Sequence, residues 1–417
     1  MPRRRLTGAE LGWLALLVPL LQPYSFPIVV PLLIAASVFV LWRTRGRFHA
    51  TAFRGARLTL LIAALLALWA LVSAAWAVDT RMALTTALSV MGAWLAGFVL
   101  LAALPSWTAA DHHRFAWLLL LGFLLGAANL QVMLLTDGAL KSALQIALKP
   151  LIGPQQPDVM PTALDSSMTL IALLAWPAIG AARRLFDRKA AFFIYLIGLI
   201  VILQGGSTTA LLAYLAAALV FAAGYALPRT TLMAGAAALA AFLLLAPAAL
   251  DPGTTDRLTP ALALAPAKEG SFWHRRQIWG FVIGKIGERP WLGWGMGNSR
   301  MVPGAHDEFA PGAEHIPLHP HNAALQLRLE LGWPGTILGA AGILALIWSL
   351  HCLLPDRLDR ACTAAACAVG AIHAMVSYSL WHEWWITFLI VTVLFLIAAS
   401  SRRAHRIPSL REAGLEP

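Results

Sequence analysis

Apolar runs of roughly 20 residues recur along the whole chain, which is the length a helix needs to cross a bilayer. In lipid, every backbone N–H and C=O must find its partner within the protein, so such runs are expected to be helices. Composition agrees. Hydrophobic residues make up 59% of the 417 and charged residues only 12%, against about a quarter charged in a soluble domain. The first run follows Arg3, Arg4 and Arg5. It ends at no convincing small-residue cleavage site, so it reads as a span rather than a signal peptide.

Twelve candidate spans fall near 9–22, 26–42, 58–77, 83–103, 114–135, 162–181, 190–205, 207–227, 231–249, 323–353, 361–381 and 385–400. Pro23 and Pro27 divide the first two, with one bent element as the alternative reading; the tenth is long enough to start outside the bilayer or to tilt. Charge tests the count, because Arg and Lys collect in cytoplasmic loops. With the N-terminus inside, the inner connections hold Arg43, Arg45, Arg47, Arg54 and Arg57, then Arg114, then Arg183, Arg184, Arg188 and Lys189, then Arg229, then Arg357 and Arg360. The tail adds Arg402, Arg403 and Arg406, and the short outer connections are nearly free of Arg, apart from Arg81. An even number of spans with both ends cytoplasmic follows. The net charge of +11 is then that of cytoplasmic loops rather than a nucleic-acid surface. Three cysteines, none with metal spacing, make a disulfide framework improbable.

The expected fold is an all-α polytopic integral membrane protein of about twelve transmembrane helices. Residues 1–249 hold nine spans, 250–322 a large external loop, 323–400 three spans and 401–417 a basic cytoplasmic tail. A second external loop, near 136–161, contains LKSALQIALKPL, which reads as a short amphipathic interfacial helix. In the large loop, Trp273, Ile278, Phe281, Val282 and Ile286 recur at helical spacing with Arg275, Arg276, Lys285 and Arg289 among them. A basic amphipathic helix stopped by Pro290 is predicted, then a turn rich in Gly293, Gly295 and Gly297.

This loop puts cations on the side where they are usually scarce. Long loops escape the charge rule, so the topology stands, but an anionic partner outside the membrane is called for. Lys268, Arg275, Arg276, Arg289 and Arg300 accompany His274, His306, His315, His319 and His321, with Asp307, Glu308 and Glu314 as carboxylates. A guanidinium binds phosphate oxygens bidentately; a lone interfacial arginine more often holds a lipid head group. Imidazole is the usual acid or base near neutral pH, and a metal is the minority reading of His319-Pro320-His321. Asn322 is expected to cap the following helix, where Gly332 and Gly335 permit close helix approach and Pro334 a kink. Arg328 and Glu330 lie in that same apolar helix, where charges are functional candidates.

His321-Asn322, nine residues, then Gly332-Trp333-Pro334-Gly335-Thr336 form one pattern; Arg275, four residues before Trp279, then Pro290 and the three glycines form another. In both, the chain resembles the bacterial O-antigen ligases and their relatives, the protein O-oligosaccharyltransferases and some polysaccharide polymerases. The likeness is topological over the full chain and motif-level over about 270–336. It implies a GT-C-like enzyme of the bacterial inner membrane whose active site lies in a periplasmic loop. Its donor would be a polysaccharide on undecaprenyl diphosphate and its acceptor a sugar hydroxyl of lipid A–core, among membrane lipids and with no nucleic acid. His321 and Arg275 would be catalytic, Arg276, Arg300 and Arg81 would bind diphosphate, and Asn322, His319, Gly332 and Gly335 would support them. Neither metal nor other cofactor is expected. The family often carries a second arginine, in a Ser-Arg pair, where this chain reads Gly205-Gly206-Ser207-Thr208-Thr209. The short C-terminal tail favours a ligase over a protein-glycosylating enzyme, and a polymerase would use the same donor. A secondary transporter shares the layout, but should show repeated halves and midplane charges; His373 and Asp165 are the few candidates.

Overall fold

The computed structural model describes residues 6–46, 48, 55–152, 160–258, 271–354 and 356–400. Arg3, Arg4, Arg5, Arg47, Arg54, Lys268 and the predicted tail at 401–417 lie outside them. Each of the twelve predicted stretches holds a helix. These are α1 (Gly8–Leu21), α2 (Val29–Thr44), α3 (Arg57–Val72), α4 (Thr80–Ala103), α5 (Ala109–Leu135), α7 (Met160–Leu185), α8 (Arg188–Gly205), α9 (Thr208–Ala226), α10 (Pro228–Ala249), α13 (Ala323–Leu353), α14 (Arg357–Val376) and α15 (Glu383–Ala398). The two amphipathic segments are helical as well, α6 (Ala139–Ile152) and α12 (Ser271–Glu288), and α11 (Pro252–Leu258) opens the large loop. Pro23 and Pro27 sit in two 3₁₀ turns that keep α1 and α2 apart.

Among the described residues, eight helices are long and apolar enough to cross a membrane: α3, α4, α5, α7, α8, α9, α10 and α13. Of the other four predicted spans, α1, α2 and α15 have 14, 16 and 16 residues, and α14 opens with Arg357, Asp359 and Arg360. The helices turn apolar side chains outward. Leu58, Leu61, Leu65, Leu68 and Val72 form one exposed stripe on α3 at helical spacing, a surface that water would not tolerate at this extent. The chain is an all-α, multi-pass membrane protein.

At the centre, α7 is buried almost throughout its length and packs on α5, α8, α14 and α15. A second group, α13 with α3 and α10, carries α12 on its loop end. The departure from an all-helical plan is small: a hairpin of β1 (Glu308–Ala310) and β2 (Ala313–Glu314), turned at Pro311-Gly312 with Gly312 at φ 71°.

The tenth span neither simply tilts nor kinks at its proline. It breaks at Gly332, whose φ of 63° and ψ of −159° lie in a region essentially reserved for glycine. The break has a backbone cause. Pro334 has no N–H to return to Glu330, and Trp333 N–H turns away to the carbonyl of Pro290 (3.1 Å). The freed carbonyls are taken up from outside the helix: Leu329 by Trp294 N–H (2.9 Å), Glu330 by Gly295 N–H (2.9 Å) and Leu331 by Trp69 Nε1–H (2.9 Å). So the glycine-rich turn docks on the break. A Cβ at Gly332 would fall 2.1 Å from the Trp291 carbonyl oxygen. What Gly332 admits is the backbone of the loop, not the neighbouring helix that the sequence suggested.

Candidate functional site

The large loop, the first turn of α13 and the ends of α14 and α15 meet at one place. Asn322 caps α13 as predicted, its Oδ1 accepting from Ala324 N–H (3.1 Å) and Leu325 N–H (3.0 Å). Its Nδ2 donates to the Met375 carbonyl at the end of α14 (3.1 Å). His321, just before it, is tied to the same end: Nδ1 lies 3.1 Å from the Ser377 carbonyl. A carbonyl only accepts, so Nδ1 carries the proton of the neutral ring and Nε2 keeps a lone pair. His321 also holds a φ of 53°, strained for a side chain other than glycine, and such strain persists where the surroundings enforce it.

His319 lies beneath. Its Nδ1 accepts the His321 backbone N–H (3.1 Å), and the two ring centroids are 4.1 Å apart. The segment is pinned from α12, where Trp279 Nε1–H donates to the Pro320 carbonyl (3.1 Å). Arg275 is one helical turn before Trp279 and therefore shares its face. That explains the four-residue spacing: the tryptophan clamps His319-Pro320-His321, and the arginine is carried to the histidines. Ile278, Val282 and Ile286 bury the helix below.

The electrostatics follow from burial and from like charge. Burial lowers the His321 pKa, as do Arg275 and His382, against the raising effect of the Ser377 carbonyl. His319 is pushed down to about 2 by burial, then by His321, His382 and Arg275. Burial also lowers Arg275, yet a guanidinium stays charged. Both imidazoles are thus neutral at pH 7, beside a partly desolvated cation.

The remaining predicted residues are distributed elsewhere. Arg276 reaches the Pro252 carbonyl (3.5 Å), Arg300 faces Glu314 (4.0 Å), and Arg81 is exposed on the first turn of α4. His306 pairs with Glu314 (3.0 Å), and His315 stacks on Phe281 (centroids 4.3 Å). Among the described residues, no three His, Cys, Asp or Glu side chains are grouped to hold a metal ion. Where the family's second arginine was sought, Ser207 caps α9 and donates to Asp165, which also accepts from Tyr378 Oη–H (3.0 Å).

Glu330 does not pair with Arg328. It is fully buried under the glycine-rich turn and accepts from Gly297 N–H (2.5 Å), Ser299 Oγ–H, Gln326 Nε2–H (3.1 Å) and Trp381 Nε1–H (2.5 Å). One carboxylate so binds the turn of the loop to the 377–382 turn between α14 and α15. His382, on that turn, brings a third ring, its centroid 5.5 Å from that of His319. His382 lies outside both sequence motifs; its one signal is the His-Glu pair in the short connection between the last two spans.

Residues 190–340 match the family described as O-antigen ligase. Three similar proteins are polysaccharide ligases by name. Those of Rickettsia conorii and Rickettsia prowazekii are 34% identical over 126 residues and 37% over 128, each match covering 29% of this chain and 30% of the relative. That of Rickettsia felis is 26% identical over 239 residues, 54% of this chain and 55% of the relative. The chain thus spans less than a third of the first relatives' length. Its resemblance to them and the match over 190–340, which includes Arg275, Trp279, His319, His321 and Gly332, agree: over those residues the chain is similar to the O-antigen ligase family.

Proposed function

We propose that this protein transfers a polysaccharide from undecaprenyl diphosphate to a sugar hydroxyl of lipid A–core, at the periplasmic face of the bacterial inner membrane. The observation that carries this reading is the pairing of a neutral, tautomer-fixed His321 with Arg275 at the mouth of α13. The acceptor hydroxyl oxygen attacks the anomeric carbon while the bond from that carbon to the diphosphate oxygen breaks. Nε2 of His321 takes the hydroxyl proton, and undecaprenyl diphosphate leaves with the bonding electrons. Arg275 meets the charge growing on that leaving group, where a desolvated donor counts most. A single displacement inverts the anomeric centre.

The cations around the site raise the cost of an imidazolium. The proton therefore moves most readily as the diphosphate gains its further negative charge on C–O cleavage, which couples base and leaving group. Glu330 and Asn322 support the reading as the residues that hold the two turns and the helix start. Arg276, Arg300 and Arg81 are kept as cations that receive the outer part of the donor.

The test is His321→Ala in a host lacking its own O-antigen ligase, with lipopolysaccharide run on a gel and membrane expression checked. Loss of the ladder, with lipid-linked polymer accumulating, is expected; general-base catalysis contributes about 10²–10⁴-fold. An unchanged ladder removes His321 from the mechanism. A silent unmodified chain redirects the reading to a polymerase or a protein-glycosylating enzyme.

A further inference from the structure

His382 occupies an unusual position for a residue outside the motifs. It opens α15, yet makes no side-chain cap bond to that helix. Its ring stands edge-on to His319, at 89°. Its charge, when present, opposes protonation of both His319 and His321. Burial in turn lowers the His382 pKa, with Glu383 acting the other way.

The turn that carries it is fixed by α13. Gln326 donates to Ser379 Oγ (2.9 Å) and accepts from Leu380 N–H (2.9 Å), and Trp381 is held by Glu330. Three consecutive residues, 379–381, are thereby set against the helix that follows His321, and His382 comes next. A turn needed only to join two spans would not require a buried Gln and a buried Glu of the neighbouring helix to fix it.

The ring's own hydrogen bonding gives its tautomer. Nδ1 of His382 is sealed from solvent with no partner among the described residues. A stranded N–H is costlier than a stranded lone pair, so the proton belongs on Nε2. His321 is the reverse case, with its proton on Nδ1. The two imidazoles are therefore opposite in kind: one offers a lone pair at Nε2, the other an N–H.

We propose that His382 is a substrate-contacting residue of the transfer site, its Nε2–H donating to an anionic oxygen of the donor's diphosphate. This rests on the functional reading above. It assigns the diphosphate two protein donors, Arg275 and His382, both near the His319–His321 pair, and leaves the hydroxyl to His321.

The test is binding of undecaprenyl diphosphate to the full chain in lipid nanodiscs, with His382→Asn and His382→Gln beside the unmodified protein. Glutamine carries its amide nitrogen near the position of Nε2, and asparagine near that of Nδ1. A hydrogen bond to a charged group is worth about 1.5–3 kcal/mol, so His382→Asn should weaken binding roughly ten- to a hundredfold. His382→Gln should recover most of that loss. Both variants keep a polar side chain of similar size, and thermal unfolding checks that they fold alike. Equal affinity for all three proteins overturns the proposal alone; absence of binding by the unmodified chain overturns it together with the functional reading. A loss in Gln that Asn recovers overturns the assigned tautomer and with it the contact as stated.

Discussion

From Ala323 to Leu331 every residue of α13 is buried, whereas beyond Thr336 the same helix turns Ile337, Leu344, Leu346 and Trp348 outward. The first half contains Gln326, Arg328 and Glu330; the second is almost wholly apolar. Both halves are helical and continuous in sequence, and only the break at Gly332 parts them. The difference teaches where polarity is permitted in a membrane helix. A polar group is tolerated where loop backbone and neighbouring turns supply its partners, and that requires an irregular chain to enter the bundle. Glu330 meets three such donors, from Gly297, Ser299 and Trp381, and a fourth from Gln326 one turn earlier in its own helix. Arg328 rests on the Trp333 ring, 3.0 Å from its centroid, and donates to the Leu244 carbonyl (3.3 Å). The second half packs chiefly on neighbouring helices and presents hydrocarbon to lipid; near its end Ser349 donates to the Gly55 carbonyl (2.9 Å).

Removing the charge that α12 sets beside the site-bearing half should have the largest effect. Arg275→Ala is expected to slow transfer by about 10²–10³-fold, as for the loss of one donor to a developing anion. Protein level should be unchanged, because the clamp by Trp279 remains; a near-normal rate in a reconstituted transfer assay would place the leaving-group contact elsewhere.

Next comes the break itself. Gly332→Ala must hold a β-carbon at φ 63°, overlapping the Trp291 carbonyl, and the backbone alone costs about 1–3 kcal/mol. Thermal unfolding in detergent should show a clear loss of stability. Gly342→Ala, in the other half, meets only Ile62 at 3.6 Å, an ordinary contact, and should change little. Equal behaviour of the two would show that the halves do not differ as described.

Glu330→Gln is the sharper, smaller test. It replaces an acceptor by a donor, so part of the four-donor arrangement is left facing an N–H, at about 1–3 kcal/mol. Both stability and transfer should fall, with cysteine cross-linking between the glycine-rich turn and the 377–382 turn weakened. Wild-type behaviour would mean that the two turns are held independently.

The smallest effect is in pH. The His321 pKa is lowered by burial, then by Arg275 and His382, so its neutral, proton-accepting form persists below the ordinary imidazole value of about 6.5. Hence kcat/KM, which reports the free enzyme, should stay level as pH falls through that value and decline only further down. In Arg275→Ala the declining limb should move to higher pH. A wild-type limb at or above the ordinary value would contradict the assignment of His321 as the base.

Much of this was legible in the residues. The spans could be read because hydropathy over a helical length is a local property, and so could α6 and α12, because amphipathic spacing is local too. Asn322 could be read as a cap because capping depends on neighbours within three residues. The spacing of Arg275 and Trp279 was visible, but not that Trp279 holds Pro320, 41 residues away. Helical periodicity alone did not separate Arg275 from Arg276, since adjacent residues on a helix point about 100° apart; the motif resemblance singled out Arg275, and the packing of Trp279 on Pro320 shows why. The place of Pro334 suggested a kink, while the break fell at Gly332 because a distant glycine-rich turn supplies donors for two of the three freed carbonyls there and Trp69 of α3 for the third. His382 entered the site through the end of α15, with no motif to mark it. Local patterns in the residues were enough to define the helices, the loop between them and the chemical types gathered at one end of the chain. The tertiary structure alone decided which of those groups meet, because contacts across 40 to 60 residues depend on how helices pack and loops close, and no local pattern encodes that.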